Sequence, residues 1–211
     1  MKKLLLMMLM IVMMLSFTAC GGDTSGGSGT SGDTAVGSVE PAKDGEIIMS
    51  TDQIAVVVNE KSVLMPYNIS ELEAAGVPVT EGLGDTELTS GSSFAPNLYL
   101  DENEDHLLSP NYYNEGDATI KLSEAEAQSI SMVSYASEPA DQGVSILGVT
   151  FGMTKSDAKA LLGEPMSDDG SYCYWQIAVS DADYVGNLYI YFTSDADDAG
   201  ASEVRLDFMQ W

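Results

Sequence analysis

Three stretches near the C-terminus, 172–179, 188–192 and 203–211, alternate between two kinds of side chain at a period of two. That period sends successive residues to opposite faces of a pleated strand, so it predicts an antiparallel sheet with two distinct sides. One side collects Cys173, Trp175, Ile177, Val179, Leu188, Ile190, Phe192, Val204, Leu206 and Phe208, a ready-made core face. The other collects Tyr172, Tyr174, Tyr189, Tyr191, Met209 and Trp211. A water-facing sheet side is ordinarily polar. Aromatic rings with hydroxyl tips are instead the composition of surfaces that bind other proteins. Two readings stand at this point: a partner-binding face, or a face packed on the rest of the chain.

A helix is predicted just before these strands. Thr154 is placed to cap it, with Asp157 in the capping-box position. Ala158, Leu161 and Leu162 fall on one face, and Lys155, Ser156 and Lys159 are expected to face water. Gly163 and Pro165 end the helix. The turns between the strands carry Asp181, Asp183, Asp195, Asp197, Asp198 and Gly200. One helix followed by a three-stranded antiparallel meander makes a small α+β module. The stretch 148–165, with Gly152-Met153-Thr154 opening the helix and Leu162-Gly163-Glu164-Pro165 closing it, resembles the opening motif of the SmpA/OmlA family. These are the small BamE-type lipoproteins of outer-membrane assembly, and β-lactamase inhibitory proteins carry this kind of module in tandem. The resemblance implies the helix-plus-sheet fold and a role in the cell envelope. It covers about 18 residues directly. The N-terminal half does not match the BamE type. The whole layout is more similar to lipoproteins of Gram-positive bacteria in which this module follows a β-rich domain.

The N-terminal half reads mainly as strand. Residues 53–58 are rich in β-branched residues, and Asn59-Glu60-Lys61 can turn the chain into 62–65. Asn68 is placed to cap a short helix, with Glu71 three residues on and Gly76 and Pro78 at its end. Residues 97–100 and 106–113 form a predicted hairpin around 101–105, and Asn114-Glu115-Gly116-Asp117 makes a second turn into 118–122. A last strand is expected over 129–135, preceded by a stretch of helix-like composition at 123–128. Cap, acidic residue, helix and Gly-x-Pro recur at 68–78 and 154–165, the trace a duplicated unit would leave. The expected layout is α+β in two small modules, a β-rich one over 46–138 and the BamE-like one over 139–211. Glu138-Pro139-Ala140-Asp141-Gln142-Gly143 marks the boundary.

The start of the chain carries an address. Lys2 and Lys3 precede an unbroken apolar run from Leu4 to Leu15, too short for a bilayer span of about 20 residues. Residues 1–19 thus read as a secretory signal peptide. Phe17-Thr18-Ala19-Cys20 resembles the bacterial lipobox, in which the Cys takes a diacylglyceryl thioether and becomes the mature N-terminus; Phe17 stands where Leu is usual. The resemblance implies lipidation at Cys20 and an extracytoplasmic protein held to the membrane by its acyl chains. Residues 20–45, the lipidated Cys with a linker rich in Gly, Ser, Thr and Asp, form a flexible tether whose ends lie roughly 25–30 Å apart. Without Lys2 and Lys3 the mature chain has 6 basic residues against 33 acidic ones, a formal charge of −27. Such a surface repels nucleic acid and anionic headgroups alike.

Motifs for catalysis are sparse. His106 is the single histidine, which supplies no multi-histidine metal site. Cys173, the only Cys besides Cys20, sits in an apolar run and reads as a small buried hydrophobe. The acidic loops starting at Asp101 and Asp195 begin as calcium loops do. The first has His106 at the sixth position and Tyr112 at the twelfth; the second has Ala199 at the fifth and Leu206 at the twelfth. No metal or cofactor is therefore expected. Carboxylates are abundant, so an extracytoplasmic carboxylate-based hydrolase is the alternative to a non-catalytic module that binds a protein, peptide or cell-wall component.

Overall fold

A computed structural model describes residues 40–41, 45–182 and 184–210, with the side chains among them except those of 40, 41, 184, 209 and 210. The expected signal peptide, Cys20, nearly all of the expected tether, and Trp211 lie outside the described residues. Strand β1 (Glu40–Pro41) lies antiparallel to β2 (Glu46–Met49). A 3-10 turn at Thr51–Gln53 precedes β3 (Ala55–Val58). It takes the start of the predicted strand, where Gln53 Oε1 accepts the Ser50 N–H at 2.8 Å and Asp181 accepts the Thr51 N–H at 2.9 Å. The chain reverses at Asn59 and Glu60, both at positive φ (48° and 69°) as a two-residue hairpin requires, into β4 (Lys61–Leu64). Helix α1 (Ile69–Ala75) carries the predicted capping box of Asn68 and Glu71 and ends at Gly76 in the left-handed conformation.

Short strands β5 (Glu87–Leu88), β6 (Ser93–Phe94) and β7 (Leu98–Tyr99) lead to the long β8 (His106–Tyr113). The pairs Leu98–Leu108 and Tyr99–Leu107 realise the predicted hairpin. Strand β9 (Ile120–Lys121) pairs with β5. The helix-like stretch 123–128 yields only a 3-10 turn at Leu122–Glu124, and β10 (Ala127–Ser134) then begins. The Ala127 N–H donates to the Tyr67 carbonyl at 2.8 Å, a tertiary bond that a helix there would forfeit.

Strands β11 (Val144–Ile146) and β12 (Val149–Thr150) precede helix α2 (Lys155–Leu162). Gly152 is required between them: at φ 74° a Cβ would stand 2.4 Å from the Pro139 carbonyl oxygen. Thr154 caps α2 through the Asp157 N–H at 3.0 Å. Strand β13 (Ser167–Asp168) then leads to the predicted long strands, β14 (Tyr172–Val179), β15 (Tyr184–Phe192) and β16 (Ala201–Gln210). The two helices share a capped start but not an exit. Gly76 leaves at ψ 13° and Gly163 at ψ −178°.

Among the described residues, one sheet of ten strands runs β1-β2-β14-β15-β16-β10-β8-β6, with β13 and β7 pairing parts of β14 and β8. A four-stranded sheet runs β12-β11-β3-β4. Among the described residues the architecture is α+β, with antiparallel pairing everywhere but the parallel β2–β14 pair and the single Gly45–Pro165 bridge. The expected boundary at 138/139 lies in the irregular segment between β10 and β11, and strands from either side of it share sheets. Strand β10 pairs with β16, β2 with β14, and β3 with β11. One continuous core joins both helices to both sheets, including Leu72 of α1, Ala158 and Leu162 of α2, and Trp175. Trp175 also donates its indole N–H to the Gly163 carbonyl at 3.1 Å, pinning the end of α2 to the sheet. Among the described residues no helix is long and apolar enough to cross a membrane.

One core residue departs from its expected place. Lys155, predicted to face water, is only 4% exposed. Its ammonium bonds Asp168 Oδ1 at 2.6 Å and the Gly170 carbonyl at 2.8 Å, and Lys159 takes Asp168 Oδ2 at 2.6 Å. A buried ammonium is tolerable because it is paired and hydrogen-bonded. Amphipathic spacing cannot see that partner, which arrives from β13.

Candidate functional site

The long strands expose their even-numbered or odd-numbered residues in rows that cross the sheet. Pairing of Tyr172 with Tyr191 and of Tyr174 with Tyr189 brings four tyrosines together on the outward side. Their rings follow one another as a ladder: Tyr191 to Tyr172 at 5.0 Å, Tyr172 to Tyr189 at 6.1 Å, and Tyr189 to Tyr174 at 5.2 Å between centroids. The last two pairs are stacked within 25° of parallel. The Arg205 guanidinium lies 5.9 Å from the Tyr189 centroid, within cation–π range. Tyr191 is 39% exposed, and the other three are half-buried. Burial raises the phenol pKa of Tyr172 and Tyr189, as expected of rings that shield one another.

The same face continues across the sheet. The tyrosine pairs extend to Glu203 and Arg205 on β16, then to Val133 and Ser131 on β10 and to Leu107 and Ser109 on β8. The next row, Gln176, Asn187, Asp207, Ser129 and Asn111, is wholly polar. Met209 occupies the register position opposite Val185; its side chain is outside the described ones. Strands of the N-terminal half therefore extend this face sideways. β10 and β8 lie in the same sheet as the tyrosines, beyond β16, and do not stack on that face.

Hydrogen bonds order the centre of the face. The Tyr174 hydroxyl donates to Asn187 Oδ1 at 2.8 Å, and Arg205 grips Asp207 through two bonds of 2.9 Å. Glu203 has no hydrogen bond to its carboxylate among the described residues, and burial raises its pKa. Because the ring faces are taken up in the ladder, an incoming group meets ring edges, phenol hydroxyls and the amide–carboxylate row. That surface suits a partner rich in hydrogen-bonding groups.

Groups of potential nucleophilic or metal chemistry are otherwise engaged. Cys173 is fully buried, and burial pushes its thiol up to about 11, far from a reactive thiolate. His106 is buried, with Nδ1 on Asp101 Oδ2 at 2.5 Å, Nε2 accepting the Ala140 N–H at 3.5 Å, and Phe151 edge-on at 5.0 Å. The His106 hydrogen bond is the chief cause holding the Asp101 carboxyl below its ordinary range. Asp101 Oδ1 also accepts the N–H groups of Asn103 and Asp105, so the loop's first carboxylate is spent on its own turn. Among the described residues no group of three or more His, Cys, Asp or Glu side chains is placed to hold a metal ion.

A cleft of about 680 Å³ opens at the Tyr113 end of β8, a feature the sequence did not signal. Its lining includes the apolar Ile54, Met65, Pro66, Ile120 and Phe208 and the acidic Glu115, Glu124 and Glu126. Glu115 accepts from Gln128 Nε2 at 2.6 Å and Glu124 from the Lys121 N–H at 3.1 Å. The cleft draws on five separate segments, which explains why no local motif marks it.

No protein-family model matches the chain, and no curated protein or solved structure matches it.

Proposed function

We propose that the chain is an extracytoplasmic lipoprotein, tethered to the membrane by acyl chains on Cys20, whose folded body is a non-catalytic module that binds a protein, peptide or cell-wall component. The outward tyrosine ladder carries this reading. Four rings on a water-facing sheet side contribute little to the core, and their edges and hydroxyls are the groups that recognise partners. The working face comprises Tyr172, Tyr174, Tyr189 and Tyr191, with Met209 farther along β16; Trp211, expected on the same face, lies outside the described residues. The engaged state of Cys173, His106 and two of the three cleft glutamates supports binding over a carboxylate-based hydrolase.

Two modules remain part of the reading, as segments that fuse across common sheets. The capped α2 and the consecutive β14-β15-β16 meander support a BamE-like segment over 139–211, and the β-rich segment over 46–138 widens its sheet. The anchor has its own test. A fatty-acid probe should label the chain in a bacterial host and fail to label Cys20→Ser; equal labelling of both would remove the anchor. For the face, the tethered body should retain a partner from envelope extract that the double variant Tyr189→Ala/Tyr191→Ala loses while still folded. Retention by the double variant would move the working surface elsewhere.

A further inference from the structure

We propose that the cleft beside β8 is a binding site for an amphiphilic organic cation, one positive head on an apolar body. Its volume, about 680 Å³, lies within the range of small-molecule sites. Its chemistry is divided. Ile54, Met65, Pro66, Ile120 and Phe208 offer apolar lining, whereas Glu115, Glu124 and Glu126 are the charged residues of that lining, with no Lys or Arg among them. Removal of apolar surface from water favours the body of the ligand, and the three carboxylates favour its head. The mature chain's charge of −27 adds long-range attraction for any cation and repulsion for any anion. This site is independent of the tyrosine face, since it uses the Tyr113 end of β8 and the 3-10 turn before β10.

The chain's overall charge would attract cations without any site, so the experiment must separate the two. Decyltrimethylammonium, below its micelle concentration, is titrated calorimetrically into the mature chain from residue 20 carrying Cys20→Ser, which takes no acyl group. Decyl sulfate is the anionic counterpart. Saturable one-to-one binding of the cation, at least tenfold tighter than the anion, is expected. Glu124→Gln/Glu126→Gln should weaken it at least fivefold; glutamine at 124 can still accept the Lys121 N–H. Glu102→Gln/Glu104→Gln removes the same charge from the loop at the far end of β8, roughly 23 Å away along the strand, and should leave affinity within twofold. Amide resonances of Ile120 and Ala125 should shift on titration in the parent chain. Equal weakening by the two double variants, or no saturable binding, would overturn the site and leave only a diffuse charge effect.

Discussion

The inner and outer faces of β14, β15 and β16 are built on the same pleat, yet their side chains are shielded by different means. Inside, Trp175, Ile177, Leu188, Ile190, Val204 and Leu206 are wholly buried under the helices and the second sheet. Outside, the tyrosines are shielded chiefly by one another, and Tyr191 remains 39% exposed. An aromatic residue on a sheet is thus not evidence of a second packed layer. Lateral stacking between neighbouring strands removes enough ring surface from water to make an open aromatic face tolerable.

The comparison breaks if truncation costs the same on both faces. Trp175→Ala should cost the most, about 3–5 kcal/mol, because it leaves a cavity and strips the Gly163 carbonyl of its donor. Denaturant melts would register this as a large drop in midpoint. Asp168→Ala should follow at about 3 kcal/mol, since it leaves the buried Lys155 ammonium without its counter-charge. This second loss should depend on pH. Hydrogen bonds from Lys155 and then Lys159 hold the Asp168 carboxyl below its ordinary 3.8. The folded state therefore binds this proton less readily than the unfolded one. The stabilisation is fully present above the unfolded value and is lost as pH falls through the lower folded value. The gap between parent and variant should begin to narrow below about pH 4, where the unfolded carboxylate protonates, and close as pH falls through the lower folded value. A gap that stays constant down to pH 2 would show that packing, not the ion pair, carries the effect.

On the outer face the effect should be smaller. Tyr189→Ala removes stacking on both Tyr172 and Tyr174 and should cost about 1 kcal/mol, the scale of aromatic pairing beyond area burial. Tyr191→Ala loses a single tilted contact and should cost less. Thermal melts in which either variant lost as much as Trp175→Ala would mean that the face is covered, and would end its role as a presented surface.

Much of this distinction was legible in the sequence because a strand's period of two is strict. The inner residues Cys173 to Leu206 follow from alternation alone, with Phe208 only partly buried, and the capped starts of both helices follow from Asn68 and Thr154. What alternation omits is the neighbour. It places Tyr172 and Tyr189 on one side but does not say that β2 pairs with β14 in parallel, or that β10 joins β16. Those pairings link residues seventy or more positions apart, and nothing local encodes them. The same blindness made Lys155 look solvated and 123–128 look helical. In each case a partner distant in sequence, Asp168 or the Tyr67 carbonyl, outweighs the local preference.

The smallest effect sharpens the contrast between the faces through its sign. Glu203 lies on the outer face opposite Tyr191, and its carboxylate lacks a hydrogen bond among the described residues because Arg205 is committed to Asp207. Burial raises its pKa, with Arg205 opposing only in part. The folded state then binds this proton more readily than the unfolded one, so the group destabilises the fold at neutral pH and the penalty shrinks as pH falls toward the folded value. Asp168 behaves in the opposite sense. Glu203→Gln should accordingly stabilise the chain at pH 7 by about 0.5 kcal/mol, the scale of surface substitutions, or roughly 1–2 °C in Tm for a chain of this size. The gain should vanish once the parent carboxyl is protonated. Differential scanning calorimetry at pH 7 and pH 4 reads both quantities. A destabilised Glu203→Gln at pH 7 would mean that the carboxylate is held by a favourable contact, and that the outer face is ordered around a charge rather than around its rings.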